Sequence, residues 1–317
     1  MRNRRALLLV VVLTMIVPRG WSTGAAQQPA PLPEPLVPAN ATEKIAPHVY
    51  WIADNDLPMV SNIGIVVGDR GTLAIDTGLG PRNGETIARE AAKVTRGGEQ
   101  YLAMTHFHPE HDLGAQGFPA ATKVIRWKTQ DQDLMELGLS MALDFATRTP
   151  FHLALLKGTN FRKTDISFDR DYRLDLGGVH VRMSGEGPAH TRGDTAFFVE
   201  EDRVLFAGDI VMSFFPSFQP QSTMRTWNAA LQRLDALKPA IIVPSHGRRG
   251  DGSMIAAYRD YLAALQSRAA ALKKEGKSED EAARALQSEL PAQFPALAHR
   301  GVNNVTNAAR TAYREAP

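Results

Sequence analysis

Residues 105–112 read Thr-His-Phe-His-Pro-Glu-His-Asp and put His106, His108, Glu110 and His111 within one short turn. A single histidine is usually a packing or surface residue. Three histidines and a carboxylate in six positions are another matter, because crowding their lone pairs is unfavourable unless an electrophilic ion offsets it. Imidazole and carboxylate donors suit zinc or iron. The chain has no cysteine, which excludes disulfides, thiolate ligands and cysteine nucleophiles together. Any metal here must be held by nitrogen and oxygen.

Three further segments have the same character. His190 lies in GPAHTRGDT, Asp209 in LFAGDIV and His246 in IIVPSHG. Each follows a short apolar run and stands near glycine, so a compact loop at a strand end could present it. Asp76, in IDTG, ends another such run. Taken singly, a post-strand aspartate is as often a turn former or a helix cap.

The elements that must position these residues alternate in kind. Apolar or alternating runs at 49–53, 63–67, 72–75 and 101–104 read as strands, with a helix at 84–94 carrying Ile87, Ala91 and Val94 on one face. A helix at 130–145 then loses its pattern, and 146–164 has no assignable element; it reads as a flap or insertion near the site. Strands restart at 172–174, 179–183, 196–199 and 204–206, followed by an amphipathic helix at 227–237 and a buried strand at 241–243. Strands and a helix thus occur twice, which predicts two packed sheets with helices outside, a four-layer αββα sandwich. The tail reads as helices at 254–274, from Ser278 onward with Glu281 completing a capping box, and at 302–314. It shows no chemistry of its own, only packing or dimer contacts.

Taken together, the segments resemble the metallo-β-lactamase-fold hydrolases. The order DTG, HxHx(D/E)H, His, GD, HG runs through residues 49–247. The resemblance implies two metal ions side by side. His106, His108 and His190 would hold the first; Glu110, His111 and His246 would hold the second; Asp209 would bridge both, and Asp76 would orient the ligand loop from behind. The family has aspartate where this chain has Glu110, and the extra methylene would shift or weaken the second metal. The resemblance also implies zinc, a pair per chain by family habit, with iron as the other metal to consider.

The chemistry implied is attack of a metal-activated water on a carbonyl: an ester, thioester, lactone or β-lactam. Asp209 and Glu110 would set the basicity of that water, and Asp209 would accept its proton. An aspartate at the bridging position points to the glyoxalase-II-like branch and its exported, quinoprotein-relay-type relatives, with β-lactam cleavage secondary. Two other readings stand beside it: a mononuclear iron persulfide dioxygenase of the same fold, and a binding or relay module without catalysis. The remaining histidines, His48, His152, His180 and His299, read as packing or surface residues, His152 excepted if the insertion closes over the site. Phe214, Phe215, Phe218 and Trp227 read as core, or else as an apolar wall for a substrate.

Length and composition bound the rest. The chain has 317 residues, 44% hydrophobic and 22% charged, as expected of a globular protein. Residues 1–26 combine Arg2, Arg4 and Arg5, an apolar run and small residues, the pattern of a signal peptide for a periplasmic or secreted protein without a lasting membrane anchor. Residues 27–47 form a proline-rich linker or arm, 48–250 the hydrolase-like domain and 251–317 a helical extension packed on it. The leader holds four arginines and no acidic residue, so its removal takes the formal charge from +2 to −2. No basic stripe remains for nucleic acid, and the partner expected is a small-molecule substrate.

Overall fold

The computed structural model describes residues 33–317; the expected leader at 1–26 and the first part of the proline-rich arm lie outside the described residues. Residues 33–317 form one compact unit.

Two sheets carry the fold. The first has seven strands in sequence order: β1 (Thr42–Lys44), β2 (Val49–Ile52), β3 (Ile63–Val67), β4 (Gly71–Ile75), β5 (Glu99–Ala103), β6 (Lys123–Trp127) and β7 (Ile166–Phe168). β1 to β4 are antiparallel neighbours, and β4 to β7 run parallel. The second sheet has five strands: β8 (Asp171–Asp175), β9 (His180–Gly185), β10 (Thr195–Val199), β11 (Val204–Gly208) and β12 (Ile241–Pro244). Its β8 to β11 are antiparallel, and β12 joins β11 in parallel. β3, β4 and β11 are buried along their whole lengths, which is why they read as continuous apolar runs rather than alternating ones.

The sheets meet across a core in which Leu73, Ile75 and Ile125 of the first face Val181, Met183, Phe206 and Val243 of the second. Each such side chain contributes about 1.5–3 kcal/mol by leaving water. On the outer face of the first sheet, Ile65, Val67 and Leu102 pack with Ile87 and Ala91 of α1 (Pro81–Val94). On the outer face of the second, Leu205 and Ile242 pack with Trp227 and Leu231 of α5 (Met224–Ala236). The same cluster continues through Tyr258, Leu262 and Leu265 of α6 (Ser253–Lys274), Leu286 of α7 (Glu279–Gln293) and Ala309 of α8 (Asn304–Glu315). The architecture is the four-layer αββα sandwich expected. The helical tail is part of its outer layer.

α7 opens on the expected capping box: the Ser278 side chain accepts from the Glu281 amide, and the Glu281 carboxylate accepts from the Ser278 amide at 2.9 Å. Three strands were not legible. β1 is short, and its three residues are charged or polar. β6 reads Lys-Val-Ile-Arg-Trp, and the arginine breaks the apolar run. β7 is only three residues long. The helix expected at 130–145 is α3 (Lys128–Arg148). It loses its pattern because Met135, Leu139 and Leu143 are exposed on its far side, so apolar residues occur on both faces. The unassigned stretch after it contains α4 (Pro150–Leu156), capped by the Thr149 side chain.

Candidate metal centre

The centre lies where both sheets end. β4 delivers Asp76, β5 delivers Thr105 and the histidine turn, β11 delivers Asp209 and β12 delivers His246. The turn after β5 becomes α2 (Pro109–Asp112), four residues long with Pro109 at its start. A helix this short projects Glu110 and His111 from a tight bend, while His108 immediately before it is extended and His106 lies in the bend leading in from β5. Hydrogen bonds sew the two sheets together here. The Thr195 amide donates to Thr105 O at 2.7 Å, the Asn62 amide to Ser245 O at 2.7 Å, and Asn62 Nδ2 to Pro244 O at 2.9 Å.

All seven donors named from the sequence converge. His106, His108 and His190 place one ligand atom each within 4.8 Å of one another; so do His106, His111 and Asp209, and so do Glu110, His111 and His246. All seven side chains are buried. Within the first group, His106 Nε2 and His190 Nε2 lie 3.0 and 3.2 Å from His108 Nδ1. Asp209 stands between the groups, with Oδ2 3.6 Å from His190 Nε2 and Oδ1 3.9 Å from His246 Nε2. Glu110 Oε1 lies 3.9 Å from His111 Nε2.

The donor set fits a cation on two grounds. First, three of the imidazoles are oriented from behind, so that Nδ1 has an acceptor and Nε2 faces inward. His111 Nδ1 meets Asp76 Oδ2 at 2.9 Å, His190 Nδ1 meets Ser217 O at 2.7 Å, and His246 Nδ1 meets Val60 O at 2.8 Å. Such partners fix the tautomer and aim the lone pair. Second, Glu110 Oε2, His111 Nε2 and Asp209 Oδ1 are buried and have no hydrogen-bond partner among the described residues. Buried polar atoms without partners are costly, and here they belong to residues whose ligand atoms converge within 4.8 Å.

Asp76 acts as the hub behind the ligands. It accepts from the Thr105 amide at 2.7 Å, from Thr105 Oγ1 at 3.0 Å and from Ser245 Oγ at 3.1 Å, besides meeting His111. It does so from a left-handed backbone, φ +66°, a conformation an aspartate adopts more easily than most residues. The electrostatics follow. Burial and the neighbouring imidazoles hold His106 and His108 well below the usual histidine range, so both are neutral lone-pair donors. Burial also disfavours charge on His111, but Asp76 first, then Glu110 and Asp209, outweigh it and push its pKa up to about 9. Burial works against the Asp209 charge as well. His246, His190, His111 and Arg300 overcome it and hold its carboxyl below the usual range.

Several residues of the site were not singled out from the sequence. Asp112 forms a fully buried ion pair with Arg126 of β6, Nη2 to Oδ2 at 2.9 Å, which anchors the end of α2. Asp194 accepts from the Thr191 amide and Oγ1 at 2.9 and 2.6 Å and shapes the loop that carries His190. Its carboxyl is pushed up to about 6, by burial above all. The tail, in which no chemistry was read, supplies Arg300, Gly301 and Asn304 to a cavity of about 660 Å³ over the centre. His108, Glu110, His190, Asp209 and His246 line the same cavity, with Phe145 and Arg148 of α3 on its wall. A signal for Arg300 existed only in its being a lone arginine in a loop between helices, which is too weak to use.

The other histidines sort by their surroundings. His48 pairs with Asp202 and His180 with Glu201, at 3.1 and 2.6 Å. His299 is exposed, 6.2 Å from the Phe214 ring. His152 is buried in α4 with its Nε2 unpartnered among the described residues. Of the aromatic cluster, Phe215, Phe218 and Trp227 are core, with Phe218 stacked on Trp227 at 4.4 Å. Phe214 is both core and cavity wall.

A four-layer sandwich with this centre at its sheet ends defines a class, and comparison with known proteins agrees. Residues 56–246 match the metallo-beta-lactamase superfamily. The chain belongs to that superfamily. Among curated relatives, it is 24% identical over 213 residues to a 2,4-dinitroanisole O-demethylase subunit alpha from Nocardioides sp., covering 66% of this chain and 58% of that protein. It is 24% identical over 187 residues to an atrochrysone carboxyl ACP thioesterase from Aspergillus fumigatus, covering 59% and 37%. The chain thus spans about half the length of these relatives. Among solved structures, the inverting sec-alkylsulfatase from a Pseudomonas species superposes with a TM-score of 0.68 at 15% identity, over 86% of this chain and 50% of that one. A beta-lactamase domain protein from Burkholderia ambifaria gives 0.62 at 18% identity, over 86% and 87%. At such identities the likeness speaks for the fold.

Proposed function

We propose that this protein is a zinc-dependent hydrolase of carbonyl compounds, an ester, thioester, lactone or β-lactam, acting outside the cytoplasm once its leader is removed. The observation that carries the reading is the set of buried, converging nitrogen and carboxylate donors beneath one cavity, three of whose atoms have no hydrogen-bond partner among the described residues. Without thiolates, such a set suits zinc. Bound there, zinc would supply a water with its pKa lowered to roughly 7 and an electrophile for a carbonyl oxygen.

The chain's own residues do the rest. His106, His108 and His190 would hold one ion; Glu110, His111 and His246 would hold the other; Asp209 would serve both. Asp209 is also the buried carboxylate best placed to take a proton from a water at the centre, since one oxygen lies toward each group. Asp76 keeps His111 aimed inward. Met59, Phe145, Met212 and Phe214 give the cavity apolar walls, which favour an organic substrate and restrict bulk water. Hydrolysis is supported as the reaction class by the thioesterase among the relatives and the alkylsulfatase among the fold neighbours. The aspartate at position 209 is the reason to favour the glyoxalase-II-like, exported branch over a dedicated β-lactamase.

The test is elemental analysis of mature protein followed by a panel of nitrocefin, a thioester, a lactone and an aryl ester. Zinc recovered with the protein and zinc-restored turnover of at least one substrate are expected. One iron per chain with no hydrolysis would sink the reading in favour of an oxygenase.

A further inference from the structure

Arg300 enters the cavity from the turn between α7 and α8, and its environment is that of a binding group. Its guanidinium carbon lies 4.9 Å from the centroid of the Phe214 ring, a platform that restricts the plane of the fork. Nη1 lies 3.6 Å from Asp54 Oδ2 and 4.0 Å from Asp56 Oδ1, within ion-pair range but without a hydrogen bond to either. Asp54 is occupied elsewhere: its Oδ2 accepts from the Gly247 amide at 2.8 Å and its Oδ1 from the Asp56 amide at 3.1 Å. Arg300 Nη1 is therefore shielded on the Asp54 side without a hydrogen-bond acceptor among the described residues, while the side chain as a whole is 25% exposed and lines the cavity.

The turn is shaped to hold it there. Gly301 has φ +68°, and a Cβ at that position would come within 2.8 Å of the Phe214 ring. Glycine thus lets the turn press on the aromatic platform. Asn304 is fixed by donating to Phe215 O at 2.9 Å, which closes the same corner of the cavity. The other arginine of the cavity, Arg148, is engaged: Nη2 donates to Asp144 Oδ2 at 2.8 Å and its guanidinium covers the Phe145 ring at 3.5 Å. The two arginines differ in the one respect that matters for ligand binding, a donor left without an acceptor.

We propose that Arg300 binds a carboxylate carried by the substrate, so that the enzyme prefers carbonyl compounds bearing a free carboxylate away from the scissile bond. The proposal rests on the hydrolase reading above and names its substrate class. Two coplanar oxygens match the planar guanidinium fork. With Asp54 and Asp56 beside the arginine, a single negative charge suits the corner better than a dianion. The substrate's remote carboxylate and its reacting carbonyl would then be held by different parts of the fold, the helical tail and the sheet ends.

Two matched 4-nitrophenyl esters test this: the mono-ester of glutarate and the ester of pentanoate, which differ only by a carboxylate in place of a methyl. The zinc-loaded enzyme should favour the glutarate ester by at least about tenfold in kcat/KM, mostly through KM. In Arg300→Gln that preference should fall to near unity, and Arg300→Lys should restore part of it. Equal loss on both esters would assign Arg300 to packing on Phe214; an unchanged preference would remove it from binding. Either result overturns the proposal. A calorimetric arm is independent of turnover. Zinc-loaded protein should bind glutarate at least about tenfold more tightly than pentanoate, the latter accounting for any carboxylate bound at the metals, and the gap should close in Arg300→Gln. If neither ester is hydrolysed yet the gap is found, the hydrolase reading fails and the carboxylate site stands. Equal affinities in the unaltered protein would defeat the site itself.

Discussion

At the scale of single residues, the centre behaves as a set of donors with unequal roles. His106 and His190 belong to a three-nitrogen group. Replacing either with alanine leaves two ligands and should abolish zinc-dependent turnover with loss of bound metal, whereas His299→Ala, exposed beside Phe214, should change turnover less than about threefold. Metal content and rate measured together decide this; parallel losses at all three positions would indicate general destabilisation. Glu110 is the departure from the family pattern. Its Oε1 is 3.9 Å from His111 Nε2, and its Oε2 is buried without a partner, so the longer arm already reaches the second group. Glu110→Asp should withdraw the carboxylate and weaken the second zinc about tenfold or more while the first is retained. Zinc titration of metal-free protein reads both sites. Unchanged affinity in Glu110→Gln would take this side chain out of the metal shell.

At the scale of elements, the ligands depend on how closely neighbouring loops approach. Gly84 in α1 faces the backbone of the loop after α2. A Cβ there would lie 1.8 Å from Gly114 O and 3.2 Å from Gly117 Cα. Backbone cannot swing aside as a side chain can, so Gly84→Ala should destabilise by about 1–3 kcal/mol or more and shift the segment bearing Glu110 and His111, lowering zinc affinity. Gly252→Ala is the control, since no atom lies within 4 Å of its Cβ position and its φ is −55°. Denaturant unfolding of the two variants checks the contrast; equal midpoints would mean that the α1 contact is looser than its geometry. The same scale explains what was unreadable. Arg126 is tolerated inside β6 because its guanidinium is buried against Asp112, and a charged residue inside a short run conceals a strand whose polarity is resolved only in three dimensions.

At the scale of the molecule, protons and metal compete for the centre. In metal-free protein the Asp76 carboxylate and its neighbours push the His111 pKa up to about 9, against about 6.5 in an unfolded chain. The charged pair therefore contributes its full stability below about pH 6.5 and loses it as pH rises through about 9. A metal needs the neutral ring, so zinc affinity at the second position should rise with pH over the same window. The melting temperature of metal-free protein should fall between pH 6.5 and 9, and Asp76→Asn should flatten that dependence. Asparagine also adopts the left-handed backbone found at this position, so the variant removes charge rather than conformation. A flat profile in the unaltered protein would remove His111 as the titrating group.

The donor residues, their order and the strand ends that carry them were legible from the chain alone, because a ligand must follow a buried apolar strand closely and both leave local patterns. The four-layer class followed from the repeat of strands and helix, and Glu110 stood out as a local substitution. What only the tertiary structure decided concerns contacts between distant segments: the hub at Asp76 that ties Thr105, His111 and Ser245, the Asp112–Arg126 pair, and the arrival of Arg300 at a cavity built by other elements. The tail showed only amphipathic helices. Its loop reaches the centre because α6 to α8 pack on the second sheet, and such packing depends on whole apolar faces meeting, which no stretch of sequence records by itself.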